Sequence, residues 1–201
     1  MAAKKNDISN KAALELLRNG NARYVADVAR RPNATPRRRL ETGSGQWPFA
    51  IVLTCADSRV TPELIFDQGI GDIFGARVAG NVATSEVIGS IQYAVTELDT
   101  ELVVVLGHEG CGAVKAALSM PCDPQEGPEE LCGLVKQIQD VVGCKDGGRD
   151  EVEEDELQKA SDVNAKSQVK KLRSALTGLK PAAKVIAATY GLRSGEVKWL
   201  R

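Results

Sequence analysis

Leu102-Val103-Val104-Val105-Leu106, followed at once by Gly107-His108-Glu109-Gly110-Cys111, is the stretch on which the fold turns. Five consecutive apolar residues, three of them valine, fit a strand covered on both faces, as in a buried parallel sheet. Glycines then open a loop, and a helical pattern runs from Cys111 to about Leu118. Strand, short loop and helix in that order begin an α/β unit.

The same alternation extends in both directions. Residues 50–55 are an apolar run bounded by Pro48 and a polar loop, which reads as a buried strand, and residues 72–78 supply a second. In residues 86–98, Val87, Ile91, Ala94, Val95 and Leu98 share one helical face. Residues 163–176 are helical through Val169, Leu172 and Leu176, residues 185–190 are a strand, residues 191–195 a turn, and 196–200 return as an antiparallel edge strand. The expected fold is α/β, with a mostly parallel central sheet flanked by helices.

Residues 9–28 read as helical, with Ser9 or Asn10 as N-cap. Gly20 is expected to end that helix, and residues 21–28 to form a second, short one. Residues 30–39, basic and proline-containing, read as a solvated connector. Residues 1–40 are thus an N-terminal helical arm and connector within a single domain spanning 1–201. Residues 120–133, with three prolines, read as a surface excursion, and residues 143–155 as a polar, mobile segment.

Composition narrows the function classes. The 201 residues are 43% hydrophobic and 26% charged, a globular profile with enough chain to bury a core. A net charge of −1 argues against a general nucleic-acid or membrane-surface binder. The N-terminal residues are polar, with no apolar signal core, and no run approaches the ~18 apolar residues of a membrane span. A cytoplasmic location is the simplest expectation. Five widely spaced cysteines do not resemble a disulfide scaffold, so metal binding or catalysis is the better reading for some of them. Cys122, Cys132 and Cys144 have no derivable role and are expected to be free structural thiols. His108 is the only histidine, which excludes any function needing two in one chain.

Cys55 closes one expected strand and His108 follows another, and in parallel sheets ligands sit at those carboxyl ends. With Cys111 three residues after His108, the set is two thiolates and one imidazole. Zinc favours such ligands, and three rather than four leave a position open, which is the catalytic pattern. In Cys55-Ala56-Asp57-Ser58-Arg59, alternation puts thiolate, carboxylate and guanidinium on one side of an extended segment.

Three signatures make the resemblance specific. Cys55-Ala56-Asp57-Ser58-Arg59-Val60, then Arg77-Val78-Ala79-Gly80-Asn81, then Gly107-His108-Glu109-Gly110-Cys111-Gly112-Ala113-Val114 resemble, in order, those of the β-carbonic anhydrase family. The C-terminal Tyr190-Gly191-Leu192 and Val197-Lys198-Trp199-Leu200 resemble it too. The resemblance implies a carbonate dehydratase, a lyase that reversibly hydrates carbon dioxide to bicarbonate and a proton by attack of zinc-bound hydroxide. It implies one Zn2+ per subunit on Cys55, His108 and Cys111, with Asp57 and Arg59 as the catalytic dyad. Gln46, Phe74, Tyr93 and the Gly112 amide match substrate-contacting positions, Phe74 and Tyr93 often from the neighbouring subunit. A homodimer or tetramer is implied, with carbon dioxide and bicarbonate as partners and neither nucleic acid nor membrane. Relatives with a bicarbonate-regulated, closed site carry Trp and Gly where this chain has Val52 and Thr54, so the open type is implied. A carbonyl sulfide or carbon disulfide hydrolase on the same scaffold, and a non-catalytic zinc-stabilised protein, are the alternatives.

Overall fold

The computed structural model describes residues 8–121, 127–144, 148 and 151–201. Five strands form where apolar runs predict them: Ala50–Thr54 (β1), Ile73–Arg77 (β2), Leu102–His108 (β3), Lys184–Tyr190 (β4) and Val197–Leu200 (β5). They make one sheet in the order β2-β1-β3-β4-β5. The first four are parallel, and β5 pairs antiparallel with β4 through the turn after Tyr190. Every residue of the central strands β1 and β3 is buried, which is why both read as unbroken apolar runs.

Alternation along those strands feeds two cores. Ala50, Val52, Leu102, Val104 and Leu106 face one layer, with Ala13, Leu17 and Phe66. Ile51, Leu53, Val103 and Val105 face the other, against Ile91 and Val95 on one helix and Val169 and Leu172 on another. A third cluster, containing Cys55, Cys111, Val114, Val135 and Ile138, gathers beyond the carboxyl ends of β1 and β3.

The helices differ from expectation in instructive ways. Helix α1 spans Asn10–Val25 without a break, its first turn capped by the Ser9 hydroxyl. Gly20 does not end it. A Cβ there would stand 1.7 Å from the Phe66 carbonyl oxygen, so the glycine lets α1 press onto the neighbouring backbone. The basic connector is also structured. Thr35 caps a short helix, α2 (Pro36–Thr42), with proline in its first turn, where its missing N–H costs nothing.

Two buried carboxylates explain why that connector is fixed. Asp67, which follows α3 (Pro62–Ile65), accepts from the Arg30 and Arg31 amides at 3.0 and 2.7 Å and from Arg23 Nε at 2.6 Å. Asp72 accepts from Asn33 and from Arg38 Nη2, the latter at 3.1 Å. Burial alone would push the Asp67 carboxyl up, but the two amides and the Arg23 guanidinium outweigh it and hold it below its ordinary value. A depressed native pKa means the contribution is complete above the unfolded value near pH 4 and lost as pH falls through the native one. Asp67→Ala is expected to lower stability at pH 7 by about 3 kcal/mol, since two amides and a guanidinium lose a buried partner. Urea unfolding should show that difference shrinking once the pH drops below about 4.

Helix α4 spans Ser85–Glu97 and α5 Gly112–Ser119, close to the expected ranges. The surface excursion read over 120–133 is shorter than expected, because α6 already begins in it (Glu129–Val142), buried through Val135 and Ile138. Prolines before it masked a helical pattern, yet Pro128 merely flanks the first turn. Helix α7 begins at Glu154, well before the expected 163, and runs to Ala175. Its first turn carries Glu154, Asp155 and Glu156, which suit the positive end of the helix dipole. Of the segment read as polar and mobile, 143–155, residues 145–147, 149 and 150 lie outside the described residues, and its end already belongs to α7. Among the described residues, no helix is long and apolar enough to cross a membrane.

Candidate metal centre and active site

Thr54, the last residue of β1, pairs with Leu106 of β3, so Cys55 and His108 emerge side by side at the carboxyl ends of adjacent strands. Gly110, at φ 61°, turns the chain back in a conformation that glycine adopts without strain. Cys111 then stands as N-cap of α5, with the Ala113 and Val114 amides of the first turn directed toward its sulfur. The result is a buried triad: the ligating atoms of Cys55, His108 and Cys111 all lie within 4.8 Å of one another.

The hydrogen bonding of the triad says what it suits. His108 Nδ1 lies 2.8 Å from the Glu109 carbonyl oxygen and donates to it, which leaves Nε2 as a bare lone pair. That Nε2 is buried and has no hydrogen-bond partner. Such an orphaned acceptor is costly unless something electrophilic meets it. Cys55 Sγ accepts amide N–H groups from Asp57 and Gly80, both at 3.4 Å. The hydrogen bond from Cys111 pulls the Cys55 thiol well below its ordinary value, against the opposing effect of burial, and the same contact pushes Cys111 up. Two sulfurs and a free imidazole nitrogen fit a zinc ion, with three protein ligands and not four among the described residues.

Asp57 is held beside this centre, not in it. Arg59 Nε and Nη2 donate to its two carboxylate oxygens at 3.0 and 2.7 Å, and the Arg59 amide adds a third bond at 2.9 Å. The Arg59 hydrogen bonds hold the Asp57 carboxyl far below the usual carboxylate range. The Asp57 side chain is 17% exposed, so it faces a space that small molecules can reach. Arg77, at the end of β2, is a further partner of this segment. Its Nε donates to the Cys55 carbonyl at 3.2 Å and its Nη2 to the Asp57 carbonyl at 2.7 Å. A guanidinium one strand over gives no sequence signal for such a bond.

The remaining expected residues divide sharply. Gly112 is the first residue of α5, exposed and next to Cys111. Gln46 is exposed in the loop before β1, and Phe74 pairs with Ile51, four residues before Cys55. At about 3.3 Å per residue, Phe74 lies roughly 13 Å from its own metal centre. Tyr93 is 51% exposed on the outer face of α4. Of the other cysteines, Cys144 is disulfide-bonded and not the free thiol expected, a pairing that sequence spacing does not disclose. Cys122 lies outside the described residues, and Cys132 is half-buried on α6.

Comparison with known proteins agrees with this geometry. A sequence profile described as carbonic anhydrase matches residues 50–197, which include every residue of the triad and the dyad. The carbonic anhydrase of Mycolicibacterium smegmatis is 40% identical over 193 residues, covering 93% of this chain and 91% of that one. Carbonic anhydrase 2 of Mycobacterium tuberculosis is 52% identical over 108 residues, about half of each chain (54% and 52%). Among solved structures, the Coccomyxa β-carbonic anhydrase in complex with acetazolamide aligns with a TM-score of 0.70 at 22% identity, covering 96% of this chain and 86% of that one. One of two tetrameric β-carbonic anhydrases from Sordaria macrospora aligns at 0.68 and 21%, covering 96% and 98%. The last two speak for the fold, and the profile and the full-length relative for descent. A parallel sheet ending in a Cys-His-Cys triad, matched along nearly its whole length by a carbonic anhydrase, places this chain in the β-carbonic anhydrase family.

Proposed function

We propose that the protein is a zinc-dependent carbonic anhydrase that reversibly hydrates carbon dioxide to bicarbonate and a proton. The observation that carries this reading is the triad of only three ligands, with Asp57 ion-paired to Arg59 and so kept from becoming a fourth. Cys55 Sγ, Cys111 Sγ and His108 Nε2 would hold the metal. Zinc bound there supplies Lewis-acid activation of water.

The other roles belong to side chains of this protein. Arg59 fixes both Asp57 oxygens, so the carboxylate stays ionised and in one orientation. Asp57 accepts a hydrogen bond from the attacking water and directs its lone pair toward carbon dioxide. The Gly112 amide, at the positive end of α5, donates to the oxygen that becomes anionic in bicarbonate. Gln46, Phe74 and Tyr93 act on the pocket of a second copy, which makes a homodimer the smallest complete unit. The place of Phe74, four residues back along the sheet from the centre of its own chain, and the exposure of Tyr93 support this. Two thiolates suit a reducing compartment such as the cytoplasm, although the Cys144 disulfide points the other way.

The two thiolates cancel the charge of a dication, so water is less acidified than in an all-histidine site, where its pKa is about 7. The hydration rate is therefore expected to rise into the alkaline range. Because His108 is the only histidine and is committed to the metal, protons must leave through water or buffer. Stopped-flow hydration with a pH indicator, on the zinc-loaded protein, tests all three points. Turnover that climbs above about pH 7 and with buffer concentration supports the reading. Zinc-loaded protein that is inert toward carbon dioxide but releases hydrogen sulfide from carbonyl sulfide would replace it.

A further inference from the structure

Helix α7 carries two amide side chains that its surface role does not explain. Asn164 is fully buried and Gln168 is 3% exposed, one helical turn apart on the same face. Buried amides are costly unless bonded, and these two are bonded in series. Gln168 Oε1 accepts from the Ala83 amide at 3.0 Å, and Gln168 Nε2 donates to Asn164 Oδ1 at 3.0 Å. Asn164 Nδ2 then donates to the Gly80 carbonyl at 2.7 Å. On its other side, Gly80 gives its N–H to Cys55 Sγ at 3.4 Å.

Gly80 sits at φ 67° in a three-residue 3-10 turn, Ala79–Asn81, between β2 and α4. No strand ladder holds that turn. Its carbonyl is pinned by Asn164, and the segment beyond it by Gln168. Ile138 closes the remaining side, since a Cβ on Gly80 would meet its Cδ1 at 2.5 Å. The aim of the Gly80 N–H at the sulfur is thus set from α7, through the Asn164 bond to the Gly80 carbonyl.

We propose that Asn164 and Gln168 are positioning residues for the metal centre, acting through Gly80 on the donor strength of the Cys55 sulfur. An N–H bond to a thiolate stabilises its negative charge and fixes the direction of its lone pairs, so losing it weakens the site, and partners of this outer kind commonly change metal affinity 10- to 100-fold. The proposal rests on the reading of Cys55, His108 and Cys111 as a metal site.

The test replaces each amide by an apolar side chain of similar shape, Asn164→Leu and Gln168→Met. Ser161→Ala is the control: it lies on the same helix, is equally buried, and its hydroxyl has no hydrogen-bond partner to lose. Each protein is loaded with Co2+, its thiolate-to-cobalt charge-transfer band is recorded, and zinc affinity is measured by chelator competition. Asn164→Leu is expected to shift the band and weaken zinc binding about 10- to 100-fold. Gln168→Met, one bond farther away, should do so less, and Ser161→Ala not at all. A merely structural role would lower the melting temperature and leave band and affinity unchanged in the folded variants, which would overturn the proposal. If Asn164→Leu does not fold, Gln168→Met decides by the same readouts. A wild-type protein with no charge-transfer band would instead remove the metal-site reading, and the proposal with it.

Discussion

Cys111→Ser is expected to abolish zinc retention and carbon dioxide hydration together, while the fold survives. The substitution keeps the volume of a residue that is 1% exposed, so the core around α5 stays filled. It replaces a soft thiolate by a hydroxyl that stays protonated and binds zinc poorly. Loss of outer partners alone costs 10- to 100-fold in affinity, so loss of a ligand should weaken zinc binding by at least about a hundredfold. Metal analysis after gel filtration, circular dichroism and stopped-flow hydration check the three parts. A folded variant that keeps one zinc per chain would show that Cys111 is not a ligand.

Asp57→Ala separates binding from chemistry. The carboxylate is paired with Arg59 and is not a member of the triad, so zinc should remain at one per chain. The hydration rate is expected to fall on the order of 10²–10⁴-fold, the usual contribution of a positioned proton acceptor. Arg59→Lys should fall between wild type and Asp57→Ala, because it keeps the charge and loses the two-point grip on the carboxylate. Full activity in zinc-loaded Asp57→Ala would end the role given to the dyad. Loss of zinc in that variant would mean that Asp57 supports the ligands, not the reaction.

Both experiments concern residues that could be named without coordinates, and the reason is physical. A covered parallel strand is continuously apolar, so β1 and β3 announce themselves, and the site of such a sheet lies at the strand ends. Cys55 and His108 could therefore be placed from position along the chain alone, with Cys111 carried in by the short loop. The antiparallel return of 197–200 was legible for a similar reason, since a turn sits directly between it and the preceding strand.

What stayed hidden depends on contacts between segments far apart. Gly20 looks like a helix end, and only its approach to the Phe66 carbonyl reveals a helix that continues. Most arginines between 30 and 39 are solvent-exposed as their composition suggests, but the backbone amides of Arg30 and Arg31 bond Asp67 and the Arg38 guanidinium bonds Asp72, which composition does not disclose. Asn164 and Gln168, in a helix full of lysine and glutamate, have the composition of a surface face; burial against the Gly80 turn gives them another meaning. The sheet, its direction and the three candidate ligands were legible because they follow from hydrophobic periodicity and from position at strand ends. The packed chain was needed to show which nitrogen of His108 faces the sulfurs, that Arg77 reaches the Cys55 and Asp57 carbonyls, and that Phe74 lies away from its own centre. Those are matters of orientation across strands, which hydrophobic patterning does not encode.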